Sequence, residues 1–355
     1  MGLLYTKMKI FHYKDKLDSL PADGGIQAPL HIRIKPTNIC NHNCGYCAYR
    51  AENLQLGQDM RITDSIPRDK MVEIVEDLIE MKVGAVTFSG GGEPFVYPHL
   101  LETARALRAG GVKVASLTNG SLLKGELAEF FAHEGTWLRV SLDGYDDTSY
   151  AQYRGTSAGA FSQLMENMTN FKQLGGPCYL GVSLIVDKGN HGHVHDLLTR
   201  LKATGVDSVK VSACIIDNDG ARNNEYHRPF FASVAEQVAR AKAELDGPEF
   251  MIYDAYHELE ESFDKQYTSC PYCQILPVIG ADQNLYPCQD KAYNLEDGLL
   301  GTMKDKRFKE LWFSDKTRFF RINPSVHCSH HCVANGKNLL LHEYLGADPE
   351  HMEFV

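Results

Sequence analysis

The sequence reads Cys40-Asn41-His42-Asn43-Cys44-Gly45-Tyr46-Cys47 directly after an apolar run at 30–34 that predicts a β-strand. Asparagine, proline and glycine residues around the cysteines indicate a loop, which lets three thiolates converge on one small object. Iron–sulfur clusters are held by cysteine thiolates at such short spacings, usually by four of them. Three would leave one iron without a protein ligand, and catalysis at a metal needs such an open position. A structural zinc site and three unconnected buried thiols are the alternatives.

Composition and charge restrict the class of protein. The chain has 355 residues, a net charge of −10 and 43% hydrophobic residues, which is enough for one large and one smaller domain. The first fifteen residues lack a signal-peptide core, and no apolar run is long enough to span a membrane. The chain has ten cysteines, and we expect a cytoplasmic protein, with no membrane partner, whose clustered cysteines serve metal binding rather than disulfides. The acidic balance argues against nucleic acid as a partner.

Strands and helices are predicted to alternate over residues 30–214. Apolar runs predict six strands at 30–34, 84–88, 112–117, 137–142, 179–186 and 208–213. Helical spacing predicts the intervening helices at 69–81, 100–109, 122–133, 161–174 and 194–203. Such alternation predicts an α/β fold with parallel strands and crossover helices. The pattern leaves open whether the sheet is doubly wound or an incomplete barrel, and in both cases functional loops follow the strands.

Glycine and polar residues follow three of these strands. The second strand is followed by Ser89-Gly90-Gly91-Gly92-Glu93-Pro94, whose glycines permit close approach of the backbone to a ligand. The third is followed by Thr118-Asn119-Gly120, and the fourth ends in Ser141-Leu142-Asp143-Gly144. Their hydroxyl, amide and carboxylate groups suit the polar groups of a small ligand, although each alone would also serve as a helix cap.

The Cys-x3-Cys-x-aromatic-Cys spacing resembles the signature of the radical S-adenosylmethionine (radical SAM) enzymes. This resemblance implies a partial (β/α)6 barrel and a [4Fe-4S] cluster on Cys40, Cys44 and Cys47. In that family the open iron binds S-adenosylmethionine, and an electron cleaves it to a 5′-deoxyadenosyl radical that takes a hydrogen atom from the substrate. A reductant such as flavodoxin or ferredoxin is then an expected partner.

The same resemblance implies the residues that bind S-adenosylmethionine. Tyr46 is expected beside the adenine, and the Gly-Gly-Glu-Pro motif is expected to bind the amino group of the methionine moiety. Asn119 and Ser141 are expected to contact the cofactor, and Arg154 either pairs with a carboxylate or lies on the surface. The full set of expected cofactor-binding residues is Tyr46, Gly91, Gly92, Glu93, Asn119, Ser141 and Arg154.

A second group of cysteines lies in the last quarter of the chain, at Cys270, Cys273, Cys288, Cys328 and Cys332. Four thiolates would close a zinc site or an iron–sulfur cluster equally well. Residues 277–288 resemble the hairpin of the SPASM and twitch extensions of radical SAM enzymes, except that Gln283 replaces the usual glycine. We expect Asn284 to adopt the left-handed conformation instead. The resemblance implies one auxiliary [4Fe-4S] cluster on Cys273, Cys288, Cys328 and Cys332, with Cys273 preferred over Cys270.

The chain is therefore divided into five parts by prediction. These are a lead-in at 1–29, the radical SAM partial barrel at 30–214, a helical linker at 215–265, a SPASM/twitch-like domain at 266–335 and a tail at 336–355.

Cys214 ends the sixth predicted strand and is either a packed thiol or a hydrogen-atom donor to a substrate radical. The resemblance extends to carbohydrate-modifying members of the 2-deoxy-scyllo-inosamine dehydrogenase type. It implies a sugar-type small-molecule substrate whose alcohol is oxidised, with the auxiliary cluster as electron acceptor. The alternatives are an epimerase that uses Cys214 as hydrogen donor, a peptide- or protein-modifying SPASM enzyme, and a non-catalytic zinc-binding scaffold.

Overall fold

The computed structural model describes residues 4–50, 54, 56–260 and 264–354. Within these ranges ten strands form one sheet, in which β1 to β8 run parallel to one another, β9 pairs antiparallel with β8, and β10 pairs antiparallel with β9. The strands are β1 (His31–Ile34), β2 (Ala85–Phe88), β3 (Lys113–Thr118), β4 (Trp137–Leu142), β5 (Tyr179–Val186), β6 (Ser208–Ala213), β7 (Met251–Asp254), β8 (Val278–Ile279), β9 (Asn284–Tyr286) and β10 (Gly301–Thr302). Their spatial order is β10-β9-β8-β1-β2-β3-β4-β5-β6-β7.

The helices lie mainly in the connections between strands. They are α1 (Lys14–Asp18), α2 (Arg68–Glu80), α3 (Leu100–Ala109), α4 (Gly125–Glu134), α5 (Asp147–Arg154), α6 (Ala160–Gln173), α7 (Val194–Ala203), α8 (Gly220–His227), α9 (Phe231–Leu245), α10 (Phe308–Ser314), α11 (Pro324–His327) and α12 (Asn335–Leu345). The six predicted strands and five predicted helices are present, with ends that differ by at most three residues. The predicted α/β fold with a parallel-dominated sheet is therefore confirmed.

The strand order shows how the sheet is wound. From β1 to β7 the spatial order follows the chain, whereas a doubly wound sheet requires a reversal. Because crossovers are right-handed, sequential order places the connecting helices on one face. Ile32 and Ile34 are fully buried in the main apolar core on that face, so the alternating His31 and Arg33 point to the opposite face, here called the inner face. In the described part of the chain β7 and β10 do not pair, and barrel closure stays a prediction.

The C-terminal hairpin was predicted at 277–288, and β8 and β9 form it. The left-handed residue is Gln283, with φ of +62°, so the prediction that Asn284 takes this conformation is wrong. Asn284 is instead held in an extended ladder, in which its carbonyl accepts from Gly280 N at 2.9 Å. Strand β8 pairs with β1, so the hairpin continues the main sheet.

The segment at 215–265 also differs from a purely helical linker. It contains α8 and α9, but β7 adds a seventh parallel strand beside β6. The sequence did not predict β7, because its short apolar run has no clear periodicity. The strand forms through its pairing with β6, which is a tertiary interaction. The five-part division of the chain stays a prediction.

Candidate active site

One cavity lies at the carboxyl ends of β1 to β4, where the loops after these strands meet. It brings together nine residues that the sequence predicted for this site: Cys40, Cys44, Cys47, Gly91, Gly92, Glu93, Asn119, Ser141 and Arg154. Tyr46 and Cys214 are not among its lining residues. His42, Tyr49 and Gln289 also line it and were not predicted. The cavity therefore unites the cysteine loop with the polar loops of the next three strands.

Glu93 is a buried carboxylate held by three donors. Its Oε1 accepts from Thr118 Oγ1 at 2.7 Å and from Phe95 N at 3.1 Å, and its Oε2 accepts from Asn119 N at 2.7 Å. A carboxylate has about four acceptor positions, which leaves one on Oε2 for a ligand. Burial raises the pKa of Glu93, while these hydrogen bonds oppose the shift. The site thus holds an oriented acceptor that suits a cationic group.

The glycine loop at 90–92 packs directly against the start of the cysteine loop. Gly92 N donates to Thr37 O at 3.2 Å, and Glu93 N donates to Ile39 O at 3.0 Å. A Cβ at Gly92 would lie 2.1 Å from Ile39 O, and one at Gly91 would lie 2.3 Å from Asn38 Oδ1. Side chains at these two positions would therefore force the two loops apart.

Asp143 and Arg154 form a buried ion pair beside the cysteine loop, with Arg154 Nε 2.9 Å from Asp143 Oδ1. Tyr46 donates its hydroxyl to the other carboxylate oxygen of Asp143. Arg154 Nη1 lies 3.9 Å from Cys44 Sγ, and its carbonyl accepts from Asn43 N at 2.8 Å. Arg154 Nη2 is buried without a hydrogen-bond partner in the described structure, so it is available to a ligand. Arg154 is thus a site residue and does not lie on the surface.

The position of Arg154 follows from a helix that the sequence analysis missed. Helix α5 begins with Asp146 as its N-cap in a capping box and ends at Gly155 in the left-handed conformation. The signal was present, because Asp146 stands three residues before Ser149 and Gly155 follows Arg154 directly. This cap places Arg154 in the last turn, facing the loop.

The three thiols at 40, 44 and 47 suit a metal centre better than isolated cysteines. Burial raises the pKa of Cys40 and of Cys44, with smaller contributions from neighbouring thiols and carboxylates. Buried thiols are easily deprotonated only when a strong positive charge compensates, which metal ligation supplies. The donor set of three sulfurs and a nearby unpartnered guanidinium nitrogen therefore fits an iron–sulfur cluster with an anionic ligand.

The described residues contain one group of ligand atoms that could hold a single metal ion. Tetrahedral zinc with Zn–S bonds of about 2.3 Å places its sulfurs roughly 3.8 Å apart. Among the described residues, the one group of three candidate ligand atoms within 4.8 Å of one another is Asp290, His330 and Cys332. This group includes one cysteine of the second group, whereas the sulfurs of Cys40, Cys44 and Cys47 do not all lie within that distance.

In the second cysteine group, Cys270 interacts with each of the other four cysteines. Cys288, Cys328 and Cys332 each have Cys270 within electrostatic range. Cys273 is buried and directs its thiol toward Phe319 O at 3.6 Å, although it also contacts Cys270. Asn338 Nδ2 donates to Cys270 Sγ at 3.3 Å, a contact that orients this sulfur. The four sulfurs that share one environment are those of Cys270, Cys288, Cys328 and Cys332.

Lys35 and Tyr49 lie between the two cysteine groups. The fully buried ammonium of Lys35 donates to Gly90 O at 2.9 Å and to the hydroxyl of Tyr49. Cys47 of the first group and Cys288 of the second are both within electrostatic range of Lys35. Lys35 was missed, although the alternation of polar and apolar residues from His31 to Lys35 already placed it on the inner face.

Cys214 directly follows the end of β6 and is buried. Burial, with Asp187 and Asp143 in electrostatic range, raises its pKa to about 12, so the sulfur keeps its hydrogen. Its carbonyl accepts from His227 Nε2 at 2.8 Å, and His227 Nδ1 lies 3.1 Å from the Tyr256 hydroxyl. This network fixes the backbone of Cys214.

Comparison with known proteins finds a family match and relatives over parts of the chain. Residues 34–201 match the model of the Radical SAM superfamily. The chain is 30% identical over 129 residues, 36% of its length, to GTP 3′,8-cyclase of Synechococcus elongatus. It is 27% identical over 179 residues, 50% of its length, to the subtilosin biosynthesis protein AlbA of Bacillus subtilis. These matches cover 38% of the length of each relative.

A solved structure shows the same fold. SuiB of Streptococcus suis, bound to S-adenosylmethionine, superposes with a TM-score of 0.61 at 18% identity. The superposition covers 81% of this chain and 66% of SuiB. The superposition shows a shared fold, and the match to the Radical SAM superfamily covers a little under half of this chain. No described helix is both long and apolar enough to cross a bilayer.

Replacing Asp143 by Asn tests the buried ion pair. The variant would leave the Arg154 charge without its partner, and we expect the free energy of unfolding to fall by about 3–5 kcal/mol. Chemical denaturation of the wild type and the variant at pH 7 measures this difference. Asp18→Asn, which removes an ion pair of two exposed side chains, is the control and should change stability little. Equal effects of the two substitutions would contradict the role given to Asp143.

Proposed function

We propose that the chain reductively cleaves S-adenosylmethionine and abstracts a hydrogen atom from a small-molecule substrate. The observation that carries this proposal is the convergence of Cys40, Cys44 and Cys47 with the glycine loop, Glu93 and Arg154 in one cavity. A [4Fe-4S] cluster held by the three cysteines would supply the electron for cleavage and an open iron for the cofactor. A cytoplasmic flavodoxin or ferredoxin is the proposed reductant.

Different residues of the cavity are proposed to bind different parts of S-adenosylmethionine. The free acceptor position of Glu93 would accept a hydrogen bond from the ammonium group of the methionine moiety. Arg154 Nη2 would donate to the carboxylate of the same methionine moiety. Ser141 and Asn119 offer polar groups toward the ribose. Tyr46, which binds Asp143, stays the proposed neighbour of the adenine.

For the substrate we propose oxidation of an alcohol, on a sugar-type molecule. A hydrogen atom would leave the carbinol carbon to form 5′-deoxyadenosine, a proton would leave the hydroxyl, and one electron would pass to an auxiliary [4Fe-4S] cluster. The proximity of Lys35 to Cys47 and Cys288 supports communication between two such centres. For the auxiliary ligands we propose Cys270, Cys288, Cys328 and Cys332, in place of the set with Cys273.

Two other reactions have specific support. A buried, protonated Cys214 at the strand end suits a hydrogen donor in an epimerase. Similarity to AlbA, named for the biosynthesis of a bacteriocin, supports modification of a peptide. A zinc-binding scaffold is the non-enzymatic alternative, for which Asp290, His330 and Cys332 offer one group of three candidate ligands.

Anaerobic reconstitution followed by iron and sulfide analysis tests the proposal. We expect about eight irons per chain and release of 5′-deoxyadenosine when dithionite and S-adenosylmethionine are added. Cys44→Ala should lose about half of the iron and all 5′-deoxyadenosine, because the first cluster loses a ligand. Cys178→Ala, which removes a buried thiol before β5, is the matched control and should retain both. Zinc without iron, or 5′-deoxyadenosine from Cys44→Ala, would refute the proposed function.

The ligand assignment of the auxiliary cluster has its own test. Cys270→Ala should lower the iron content to about four per chain, whereas Cys273→Ala should leave about eight. Iron analysis and the visible absorption of the reconstituted variants measure this without any substrate. The reverse result would restore Cys273 to the ligand set.

Cys214→Ala separates oxidation from epimerisation. Under the dehydrogenase proposal the variant should turn over a substrate at a rate similar to the wild type, because no hydrogen returns from the protein. An epimerase would lose product formation while still releasing 5′-deoxyadenosine. Product analysis by mass spectrometry in deuterium oxide distinguishes the two results, since an exchangeable S–D would label only an epimer.

A further inference from the structure

The inner face of the sheet gathers positive charge. Arg33 on β1, Arg139 on β4 and Lys210 on β6 alternate with the apolar residues that face the helices. Lys337 of α12 lies within electrostatic range of both His31 on β1 and Lys210 on β6. Four intervening strands would separate β1 from β6 by roughly 24 Å in a flat sheet, so the sheet must curve around this space. Arg33, Arg139, Lys210 and Lys337 are called the inner-face cations below.

Two of these cations have a buried donor atom without a partner, although Lys337 donates to the Tyr272 hydroxyl at 3.0 Å. Arg33 Nε and Arg139 Nε are buried and have no hydrogen-bond partner in the described structure. In the same part of the chain, no ion pair joins any inner-face cation to a carboxylate. Two acids lie in this region: Glu258 accepts from the Tyr253 hydroxyl at 2.5 Å, and Asp290 lies within electrostatic range of Arg33 and 3.6 Å from His330.

Like charges held together in a partly buried space repel one another. Arg139 and Lys337 both lie within electrostatic range of Lys210, and burial adds to the cost of its charge. The whole chain carries a net charge of −10, so the cluster of positive side chains on the inner face is a local feature that the overall charge does not predict. An anion bound among the cations would relieve the repulsion and supply the missing partners.

Aromatic rings orient the cations toward one another. Tyr5 stacks on Tyr253 with ring centroids 4.6 Å apart, and its hydroxyl accepts from Arg139 Nη2 at 2.9 Å. The Arg139 guanidinium lies 5.5 Å from the Tyr5 ring, and Lys210 Nζ lies 5.9 Å from the Tyr253 ring. The tyrosine pair thus holds both charges at one place on the inner face.

This place is close to the cofactor cavity. Ser141, which lines the cavity, pairs in register with Ser183, and Ser183 pairs with Lys210. Two strand spacings, about 10 Å, therefore separate Lys210 from a cavity residue. A group bound at Lys210 would hold one end of a small molecule while another part reaches the cavity.

We propose that the substrate carries an anionic group, a phosphate or a carboxylate, that binds between Arg139 and Lys210 on the inner face. The assignment of this anionic group to the substrate rests on the function proposed above. It narrows the sugar-type substrate to a phosphorylated or acidic one. The planar guanidinium of Arg139 matches either oxyanion in a bidentate geometry, and Lys210 adds a point charge.

Isothermal titration calorimetry of the anaerobically reconstituted full chain tests the proposal. Inorganic phosphate and succinate are titrated in separate experiments at an ionic strength held constant with sodium chloride. We expect one of the two anions to bind, and the identity of that anion distinguishes a phosphate from a carboxylate. Lys210→Gln and Arg139→Gln should each weaken binding by about tenfold or more, because each removes a charge-assisted contact.

The controls separate binding from folding and from catalysis. Lys242→Gln, at an exposed lysine of α9, should bind like the wild type. Lys210→Gln without anion should unfold at the same or a higher temperature, since repulsion is relieved, and Lys210→Arg should retain binding within a few fold. Unchanged affinity in Lys210→Gln, or no binding of either anion, would overturn the proposal. Absence of 5′-deoxyadenosine with anion binding intact would refute only the proposed function.

Discussion

The ion pair between Asp143 and Arg154 determines how the cysteine loop is held. It joins the end of β4 to the last turn of α5, and both partners also contact the loop. Asp143 accepts from Tyr46, while the Arg154 carbonyl and guanidinium reach Asn43 and Cys44. Because a buried charge is stable only with its partner, the loop geometry depends on both residues. A loop rich in asparagine and glycine thereby becomes a rigid holder for three sulfurs.

The rest of the site is built outward from that loop. The glycine loop at 90–92 packs on its beginning, and Glu93 is held in turn by the loop after β3. Lys35 donates hydrogen bonds to the carbonyl of Gly90 and to the hydroxyl of Tyr49. These contacts extend the same network toward the second cysteine group. Each strand of the first half of the sheet thus contributes one part of a single polar network.

Local features were predictable from the sequence, and features that depend on distant pairing were not. Strands such as β4 and β5 have the predicted ends because period-2 alternation and apolar runs are local signals. The same signals placed the polar loops on one edge, and the cavity contains nine of the predicted residues. The choice between Cys270 and Cys273 depends on where α12 and Phe319 pack, which no spacing encodes. Gln283 adopts a positive φ because the ladder around Asn284 requires it there.

The pairing of β8 with β1 has a consequence for the order of events during synthesis. Arg33 and Val278 are partners in the sheet, although about 245 residues separate them in the chain. At about 5–20 residues per second, the ribosome adds Val278 some 12 to 50 seconds after Arg33. Until then one edge of β1 lacks its partner strand, and the cysteine loop that follows β1 lacks Gln289 on its cavity wall. The wall of the cavity beside the cysteine loop is therefore completed only when most of the chain has been synthesised.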